Sequence, residues 1–281
     1  MSRNQDRLGG TQQQDTNPPA HIMGEGGFSF VVPTEFVELP SGGRHYHEGH
    51  PLHGETAIEI KQMTAKEEDM LTSKTLLKKG VALDRVISSL IVNKTIDADS
   101  LLVGDRNAII VSTRVSAYGN DYTTKVGCPA CGVTQQYSFD LNSANVYGGE
   151  DLGTVGTTDN GNGTFNIDLE RTKVSVTFKL LTGRDEKAFL SGIELDKKQR
   201  VDRNVTRQLS GMIVAVNGDS NPEAIKYLVH NMPSADARHL RLAYRLTSPN
   251  IDLAQHFECS ECDHAQDMEV PLNADFFWPD R

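Results

Sequence analysis

Two Cys-x-x-Cys pairs constrain the fold of this chain more than any other feature of its sequence. The pairs are Cys128 with Cys131 and Cys259 with Cys262, and the chain has no other cysteine. A Cys-x-x-Cys turn at the tip of a β-hairpin supplies two metal ligands, whereas a structural zinc ion takes four in a tetrahedron. We therefore predict that the two pairs, 131 residues apart in the sequence, hold one zinc ion together.

Other interpretations of the cysteines lead to different chemistry. A redox pair is one alternative, but such motifs follow a strand in a βαβ pattern and occur once. His264 is a candidate replacement for one thiolate, although the aligned position of the first pair is Val133. Four thiolates leave no open coordination position for water or substrate, which is typical of a structural site. Since the sequence also lacks the common hydrolase, Walker and dinucleotide-binding motifs, we do not expect an enzyme.

The segments that precede the two cysteine pairs resemble each other. Residues 58–71 align with 176–189 at a shift of 118, and residues 105–116 align with 236–247 at a shift of 131. The difference of 13 predicts an insertion in the second copy, at residues 218–229. Identical pairs are Lys61/Lys179, Thr64/Thr182, Glu68/Glu186, Asp84/Asp202, Arg85/Arg203, Asp105/Asp236 and Arg114/Arg245. Such ordered agreement predicts an internal duplication.

Local signals predict the same elements in each copy. Threonine followed three residues later by a carboxylate has the spacing of a capping box, so a helix is expected to begin there. These pairs are Thr64 with Glu67 and Thr182 with Asp185. Gly80 is expected to end the first of these helices. Apolar residues at helical spacing predict a second helix in each copy. They are Leu83, Val86, Ile87, Leu90 and Ile91 in one copy, and Val201, Val205, Leu209, Met212 and Ile213 in the other.

A third helix is predicted in each copy, at residues 105–117 and 236–247, and it leads into the hairpin that carries the cysteines. The predicted fold is α+β, with internally duplicated, pseudo-twofold helical modules that each end in a β-hairpin zinc knuckle and share one four-cysteine zinc. The modules are predicted at 28–142 and 173–275, joined by a connector hairpin at 143–172. A flexible N-terminal arm at 1–27 and an aromatic C-terminal tail at 276–281 complete the predicted boundaries.

Two further segments leave alternatives open. Phe276, Phe277 and Trp278 either fold back on the core of the chain or anchor an interface. Four histidines lie in a loop rich in glycine and proline, and we interpret this segment as a polar, partly exposed loop. A metal site or a pH-sensitive contact are the alternatives, but no cysteine or carboxylate pattern completes a coordination set. The histidines are His45, His47, His50 and His53.

The net charge of −10 gives no electrostatic footprint for a nucleic-acid backbone, so protein partners are expected. A zinc-ribbon nucleic-acid binder, the alternative from another class, requires a basic face beside the cysteines. Residues 125–136 contain one lysine, and residues 256–267 are acidic. No apolar run is long enough for a membrane span. Without a secretory signal at its N-terminus, the chain is expected to be intracellular, with its cysteines made as thiols.

Five motifs within residues 34–142 carry a resemblance to a known family. They are ELPSGG, HPLHG, MTAKEED, LTSKTLLKKG and CPACG. This region resembles the baseplate hub and hub assembly proteins of contractile-tailed, T-even type bacteriophages. The resemblance implies synthesis in the bacterial cytoplasm and a place in the tail baseplate of the virion. It also implies that other tail subunits are the partners, in a symmetric assembly with multiple copies. A hub assembly chaperone absent from the mature virion is the alternative.

Overall fold

A computed structural model describes residues 21–23, 29–78, 80–149, 152–270 and 274–277 of the chain. Helices alternate with short antiparallel strands throughout, which confirms the predicted α+β class. The helices are α1 Ala65–Thr72, α2 Lys74–Lys78, α3 Ala82–Leu90, α4 Val103–Tyr118, α5 Gly183–Gln199, α6 Asn204–Met212, α7 Pro222–Asn231 and α8 Ser234–Thr247.

The strands form one four-stranded sheet and five two-stranded ribbons, and all of their pairings are antiparallel. The sheet has the order β11-β10-β9-β8, and the ribbons are β1-β2, β3-β4, β5-β6, β7-β12 and β13-β14. The strands are β1 His21–Met23, β2 Ser29–Val31, β3 Thr34–Glu38, β4 Ala57–Lys61, β5 Asp121–Gly127, β6 Thr134–Asp140, β7 Asn145–Tyr147, β8 Thr157–Asp159, β9 Thr164–Asp168, β10 Ser175–Lys179, β11 Ile213–Val216, β12 Asn250–Asp252, β13 Ala254–Glu258 and β14 Ala265–Glu269.

The helices α1 and α5 begin as the sequence predicts. Thr64 and Glu67 form a capping box at the start of α1, and Thr182 and Asp185 form one at the start of α5. In each box the threonine hydroxyl and the carboxylate satisfy backbone N–H groups that have no partner within the helix. A strand precedes each box, β4 in the first case and β10 in the second. The predicted order of strand, cap and helix is therefore confirmed at both places.

The first predicted helix is broken where the sequence suggested a continuous one. Ser73 has an extended backbone (ψ 108°), and it separates α1 from α2. The Leu76 N–H donates a hydrogen bond of 3.5 Å to the Ser73 hydroxyl oxygen. Since serine competes for backbone groups in this way, it ends one helix and begins the next. The prediction that Gly80 ends a single helix was therefore wrong on this point.

The second helix of each copy is confirmed as an element, but the predicted apolar stripe differs between the two. In α3 and just after it, Val86, Ile87, Leu90 and Ile91 are buried. In the C-terminal part, Leu209, Met212 and Ile213 are buried, whereas Val201 precedes α6 and both Val201 and Val205 are exposed. Arg200, in the left-handed conformation with φ +55°, ends α5 just before this segment.

The third predicted helices are confirmed as α4 and α8, with boundaries within three residues of those expected. Residues 218–229, where the sequence predicts an insertion, contain a turn and most of α7. The predicted connector contains the hairpin β8-β9, and β9 pairs further with β10. Of the predicted N-terminal arm, residues 21–23 form β1 against β2, and residues 1–20 and 24–27 lie outside the described part.

A backbone junction joins the start of α4 to the entry of α5. The Val103 N–H donates to the Leu181 carbonyl oxygen (3.0 Å), and the Gly183 N–H donates to the Leu101 carbonyl oxygen (2.9 Å). Gly183 packs so closely on the Arg106 side chain that a Cβ there would lie 2.6 Å from a guanidinium nitrogen. This junction, which pairs segments far apart in sequence, fixes the position of α5 against α4.

A charged network reinforces the same junction. The buried Arg106 guanidinium lies 2.7 Å from the Asp84 carboxylate, on the facing helix α3. Lys187 of α5 contacts Asp84 at 3.1 Å and Asp99 at 2.5 Å. Because Asp84 has a cationic partner on each side, its carboxylate is compensated although little of it is exposed. The network therefore ties α3, α4 and α5 together.

Arg114 fixes the C-terminal turn to the core. Its side chain is fully buried, and it donates to the backbone carbonyl oxygens of Gly119 (2.7 Å), Phe276 (2.8 Å) and Asp121 (3.0 Å). Phe276 is buried with its ring 5.0 Å from that of Tyr122. Phe277 is also buried, so two of the three aromatic residues of the tail pack on the core of the chain; Trp278 lies outside the described residues.

Replacing Arg114 by methionine is expected to lower the free energy of unfolding by ~3 kcal/mol or more. The reason is that backbone carbonyl oxygens lose their donor inside the protein, at ~1–3 kcal/mol for each one left without a partner. The matched control is Arg245→Met, at the aligned position on α8, where the side chain is exposed. That change is expected to stay within about 0.5 kcal/mol. Chemical denaturation measures both, and equal losses would contradict this role of Arg114.

The buried Glu67 carboxylate provides a test of pH dependence. Burial alone would raise its pKa, but hydrogen bonds from Ser89, Thr64 and Lys61 outweigh it and lower the pKa from 4.5 to about 2. A carboxyl group whose pKa is lowered by folding stabilises the protein above its unfolded value, and this contribution is lost as the pH falls toward the folded value.

Between pH 4.5 and pH 2, wild-type protein is therefore expected to lose more unfolding free energy than Glu67→Gln. Urea denaturation at several pH values measures the difference between the two curves. Asp69→Asn, at an exposed position two residues away, is the control and is expected to follow the wild type. Parallel curves for wild type and Glu67→Gln would show that the carboxylate is not the group responsible.

Candidate metal centre

The four cysteines lie at the tips of two β-hairpins with the same backbone geometry. In the hairpin β5-β6, the Cys128 N–H donates to Val133 (2.8 Å) and the Gly132 N–H donates to Cys128 (2.9 Å). In the hairpin β13-β14, the Cys259 N–H donates to the His264 carbonyl oxygen (2.9 Å), and the Asp263 N–H donates back to the Cys259 carbonyl oxygen (3.1 Å). Each tip is thus a closed turn with a cysteine at its first and fourth positions.

The residue after the second cysteine of each pair has a left-handed backbone. Gly132 has φ +75°, and Asp263 has φ +53°. Glycine adopts this conformation without steric cost, and aspartate is among the few other residues that visit it routinely. The sequence thus supplies a permissive residue at the position in each tip where the chain reverses.

The hairpins place the four sulfur atoms in one cluster. The Sγ atoms of Cys128 and Cys262 lie 3.7 Å apart, as do those of Cys131 and Cys259. All four Sγ atoms lie within 4.8 Å of one another. The first cysteine of each pair is buried and the second is exposed, so the cluster sits at the surface with one side covered by protein.

The distances suit a tetrahedral metal ion. A tetrahedron with metal–sulfur bonds of about 2.3 Å has sulfur–sulfur edges of about 3.8 Å, close to the two measured contacts. A disulfide requires about 2.05 Å, and all four cysteines are free thiols in the structure. The cluster is therefore compatible with a metal site, which agrees with the prediction that the four residues act together.

Backbone N–H groups of the turns favour the thiolate forms of Cys128 and Cys262. The N–H groups of Cys131 and Ala130 point at the Cys128 sulfur and lower the pKa of that thiol to about 6. The His264 N–H favours the Cys262 thiolate in the same way, but desolvation and the neighbouring thiols outweigh it and raise the pKa of Cys262 to about 12. One thiolate thus forms readily, and further ionisation beside it requires a compensating positive charge.

Side chains along the hairpins hold the two tips together. The Gln135 amide donates to the Glu258 carbonyl oxygen (3.1 Å) and accepts from the Ser260 N–H (3.0 Å). Further along, the Tyr137 hydroxyl donates to the His256 carbonyl oxygen at 2.9 Å. The strands β6 and β13 therefore lie side by side, and the sulfur cluster lies at the end of this contact.

A protein-family comparison matches residues 32–278, most of the chain, to the T4 bacteriophage base plate protein family. The chain belongs to this family. The resemblance carried by residues 34–142 is therefore confirmed, and the match extends through the second cysteine pair. No curated protein and no solved structure matches the chain.

Membership in the base plate family supports a structural role in a phage baseplate. It also implies other tail subunits as partners and a location in the virion tail, and it points away from an enzyme. No helix in the described ranges is long and apolar enough to cross a membrane.

The histidines named in the sequence do not join the sulfur cluster of the base plate protein. His264 faces the Gln266 side chain, with its Nε2 atom 3.3 Å from the amide oxygen. In the loop, His50 Nε2 lies 2.7 Å from the Ser100 hydroxyl, and His53 Nδ1 lies 2.6 Å from the Tyr46 carbonyl oxygen. Within the described ranges, the four cysteines are the only cluster of three or more His, Cys, Asp or Glu side chains placed so that they could hold a metal ion.

A buried aspartate whose role was not predicted from the sequence organises the histidine loop. Asp105, at the third position of α4, accepts from the Ser41 N–H (3.0 Å), the Ser41 hydroxyl (2.7 Å) and the Tyr46 hydroxyl (2.7 Å). Burial raises the pKa of Asp105 against the effect of these donors. Its aligned partner Asp236 accepts from the N–H groups of Arg171 and Thr172, both at 2.9 Å. The identical pair in the alignment was the available signal.

Proposed function

We propose that this base plate protein is a structural subunit of a contractile phage tail, present in multiple copies, that acts by binding neighbouring subunits. One zinc ion held by Cys128, Cys131, Cys259 and Cys262 fastens its two hairpins. The family match over residues 32–278 is the observation that carries the tail role. The convergence of four sulfur atoms carries the zinc site.

The chemistry of the donor set favours zinc over other cations. Thiolates are soft ligands that select zinc, Cu(I) or iron–sulfur clusters, whereas magnesium and calcium prefer oxygen ligands. Sulfur–sulfur contacts of 3.7 Å fit one tetrahedral ion. Four protein thiolates fill the coordination shell, which supports a structural role and leaves no position for a substrate.

A zinc ion at this position acts as a cross-link between distant parts of the chain. Each hairpin supplies two ligands, and the pairs are 131 residues apart in sequence. Apparent binding energies of structural zinc are about 10–16 kcal/mol in zinc-finger peptides, which is comparable with the whole stability of an ordinary domain, about 5–15 kcal/mol. Loss of the ion is therefore expected to loosen both hairpins together.

Repeated contacts support the further proposal that the chain is internally duplicated, with a pseudo-twofold relation between its modules. Lys61 pairs with Glu67 at 3.0 Å, and Lys179 pairs with Asp185 at 2.7 Å, each across a capping box. The two cysteine turns share their hydrogen bonds and their left-handed residue. The buried aspartates of α4 and α8 each bind the backbone of a preceding loop.

We place the modules at 28–142 and 173–275, with a connector at 143–172. The β3-β4 and β9-β10 hairpins support two modules, since each precedes a capping box. In this division the strand β9 belongs to the proposed connector and pairs with β10, the first strand of the proposed second module. The proposed boundary at 172/173 therefore lies in the turn between two paired strands.

Purified protein is expected to contain close to one zinc ion per chain. Cys131→Ser removes one ligand, so it is expected to lose most of the bound zinc and to lower the melting temperature. Elemental analysis and thermal unfolding measure the two effects. Ala130→Ser is the matched control, because it places a serine in the same turn and keeps all four thiols. Cys131→Ser protein that retained zinc and melted like the wild type would overturn the site.

Quantitative mass spectrometry of purified phage particles tests the tail role. The chain is expected in a fixed stoichiometry with other baseplate subunits, since a structural subunit remains in the particle. A chain found in assembly intermediates but absent from particles would replace this proposal by that of a hub assembly chaperone. Absence from both would contradict a role in the tail.

A further inference from the structure

A cleft of about 840 Å³ runs along one face of α8. Three arginines of this helix, Arg238, Arg241 and Arg245, line it. Their spacing of three and four residues places them on the same face of the helix. The remaining wall is largely apolar and includes Leu102, Leu181, Leu242, Leu246, Ile251 and Leu253. A row of positively charged side chains thus borders an apolar surface.

The three guanidinium groups of the cleft have no ionic partner in the described part of the chain. No described carboxylate lies within 4.0 Å of them. Arg241 donates only to the Ala237 carbonyl oxygen of its own helix, at 3.3 Å. By contrast, Arg106, Arg184, Arg203 and Arg207 each contact a carboxylate at 3.0 Å or less.

Three arginines without ionic partners on one face of one helix concentrate positive charge in a chain whose net charge is −10. A guanidinium presents a planar fork of donors that matches a carboxylate, and an apolar surrounding strengthens such contacts by excluding water. We propose that the cleft binds an extended acidic segment of another tail subunit, whose carboxylates pair with Arg238, Arg241 and Arg245. This inference rests on the proposed tail role for the source of the segment.

The spacing of the arginines suits an extended peptide. Along the helix axis they are separated by about 4.5 Å and about 6 Å, since each residue adds about 1.5 Å. Alternate side chains of an extended strand lie about 6.8 Å apart on one face. Acidic residues at alternate positions therefore reach successive arginines, and the intervening side chains suit the apolar part of the cleft.

Carboxylates in the lining of the cleft favour a short peptide over a nucleic acid. Asp252 and Glu269 belong to its lining, and the neighbouring hairpin also carries Glu258, Glu261 and Asp267. A continuous phosphate backbone that entered the cleft would meet these carboxylates, and nucleic-acid binding requires a broad cationic surface. A short acidic segment that ends at the arginines avoids this repulsion.

The test uses the full-length, zinc-loaded chain and a fluorescent peptide of sequence Glu-Leu-Glu-Leu-Glu, measured by fluorescence anisotropy. The peptide is expected to bind, more weakly as salt is added, and Gln-Leu-Gln-Leu-Gln is expected not to bind. Replacing Arg238, Arg241 and Arg245 together by glutamine is expected to weaken binding at least about tenfold. Since these side chains lack ionic partners in the described structure, the variant is expected to keep the wild-type melting temperature.

The matched control removes three positive charges elsewhere, by changing Lys197, Lys198 and Arg200 at the exposed end of α5 to glutamine. It is expected to bind the acidic peptide within about twofold of the wild type. Equal losses in the two triple variants, equal binding of the glutamine peptide, or no binding at all would overturn the proposal. So would a single-stranded oligonucleotide that binds the cleft more tightly than the acidic peptide. Particle composition is measured separately, so failure of the cleft leaves the test of the tail role intact.

Discussion

The arrangement of the molecule depends on the contact between two hairpin tips, each of which carries two of the four clustered cysteines. The Cys128 and Cys262 sulfur atoms lie 3.7 Å apart across this contact, as do those of Cys131 and Cys259, so both of these contacts join one hairpin to the other. Gln135 and Tyr137 extend the contact along the strands. Because β5 follows directly on α4, and α8 leads through β12 to β13, the position of the hairpins also constrains the positions of α4 and α8.

A second junction, at the start of α5, works with the hairpin contact. Here the backbone pairing of Leu101 with Gly183 and the ion pair of Arg106 with Asp84 hold α3, α4 and α5 in one unit. The ion pair is largely buried, so its desolvation offsets much of its attraction, and its value lies mainly in specifying one geometry. Two contacts thus join distant segments of the chain through different interactions. The hairpin tips meet at their cysteine sulfur atoms, and the start of α5 meets α3 and α4 through backbone hydrogen bonds and ion pairs.

Local signals predicted the parts of this structure that depend on neighbouring residues. The capping boxes at Thr64 and Thr182 formed as expected, because the donor, the acceptor and the helix start lie within four residues. The meeting of the cysteine pairs was also predictable, since the requirement for four ligands links them whatever lies between. The exposure of Val205 was not, because burial of a helical stripe depends on whether another element covers it. The partners of Asp105 were equally unpredictable, because they come from a loop about 60 residues earlier in the sequence.

Arg114 and Arg245, which occupy aligned positions in the sequence, have different surroundings in the structure. The C-terminal turn covers Arg114, and the Phe276 carbonyl oxygen in this turn accepts a hydrogen bond from the Arg114 guanidinium group. The described turn at 274–277 contacts α4 and covers Arg114, whereas Arg245 on α8 is exposed. A buried guanidinium with backbone acceptors stabilises the fold, whereas an exposed one without an ionic partner in the described chain is available to another molecule. Under the proposed duplication, Arg114 and Arg245 differ because the C-terminal segment occurs once and covers only one of the two similar helices.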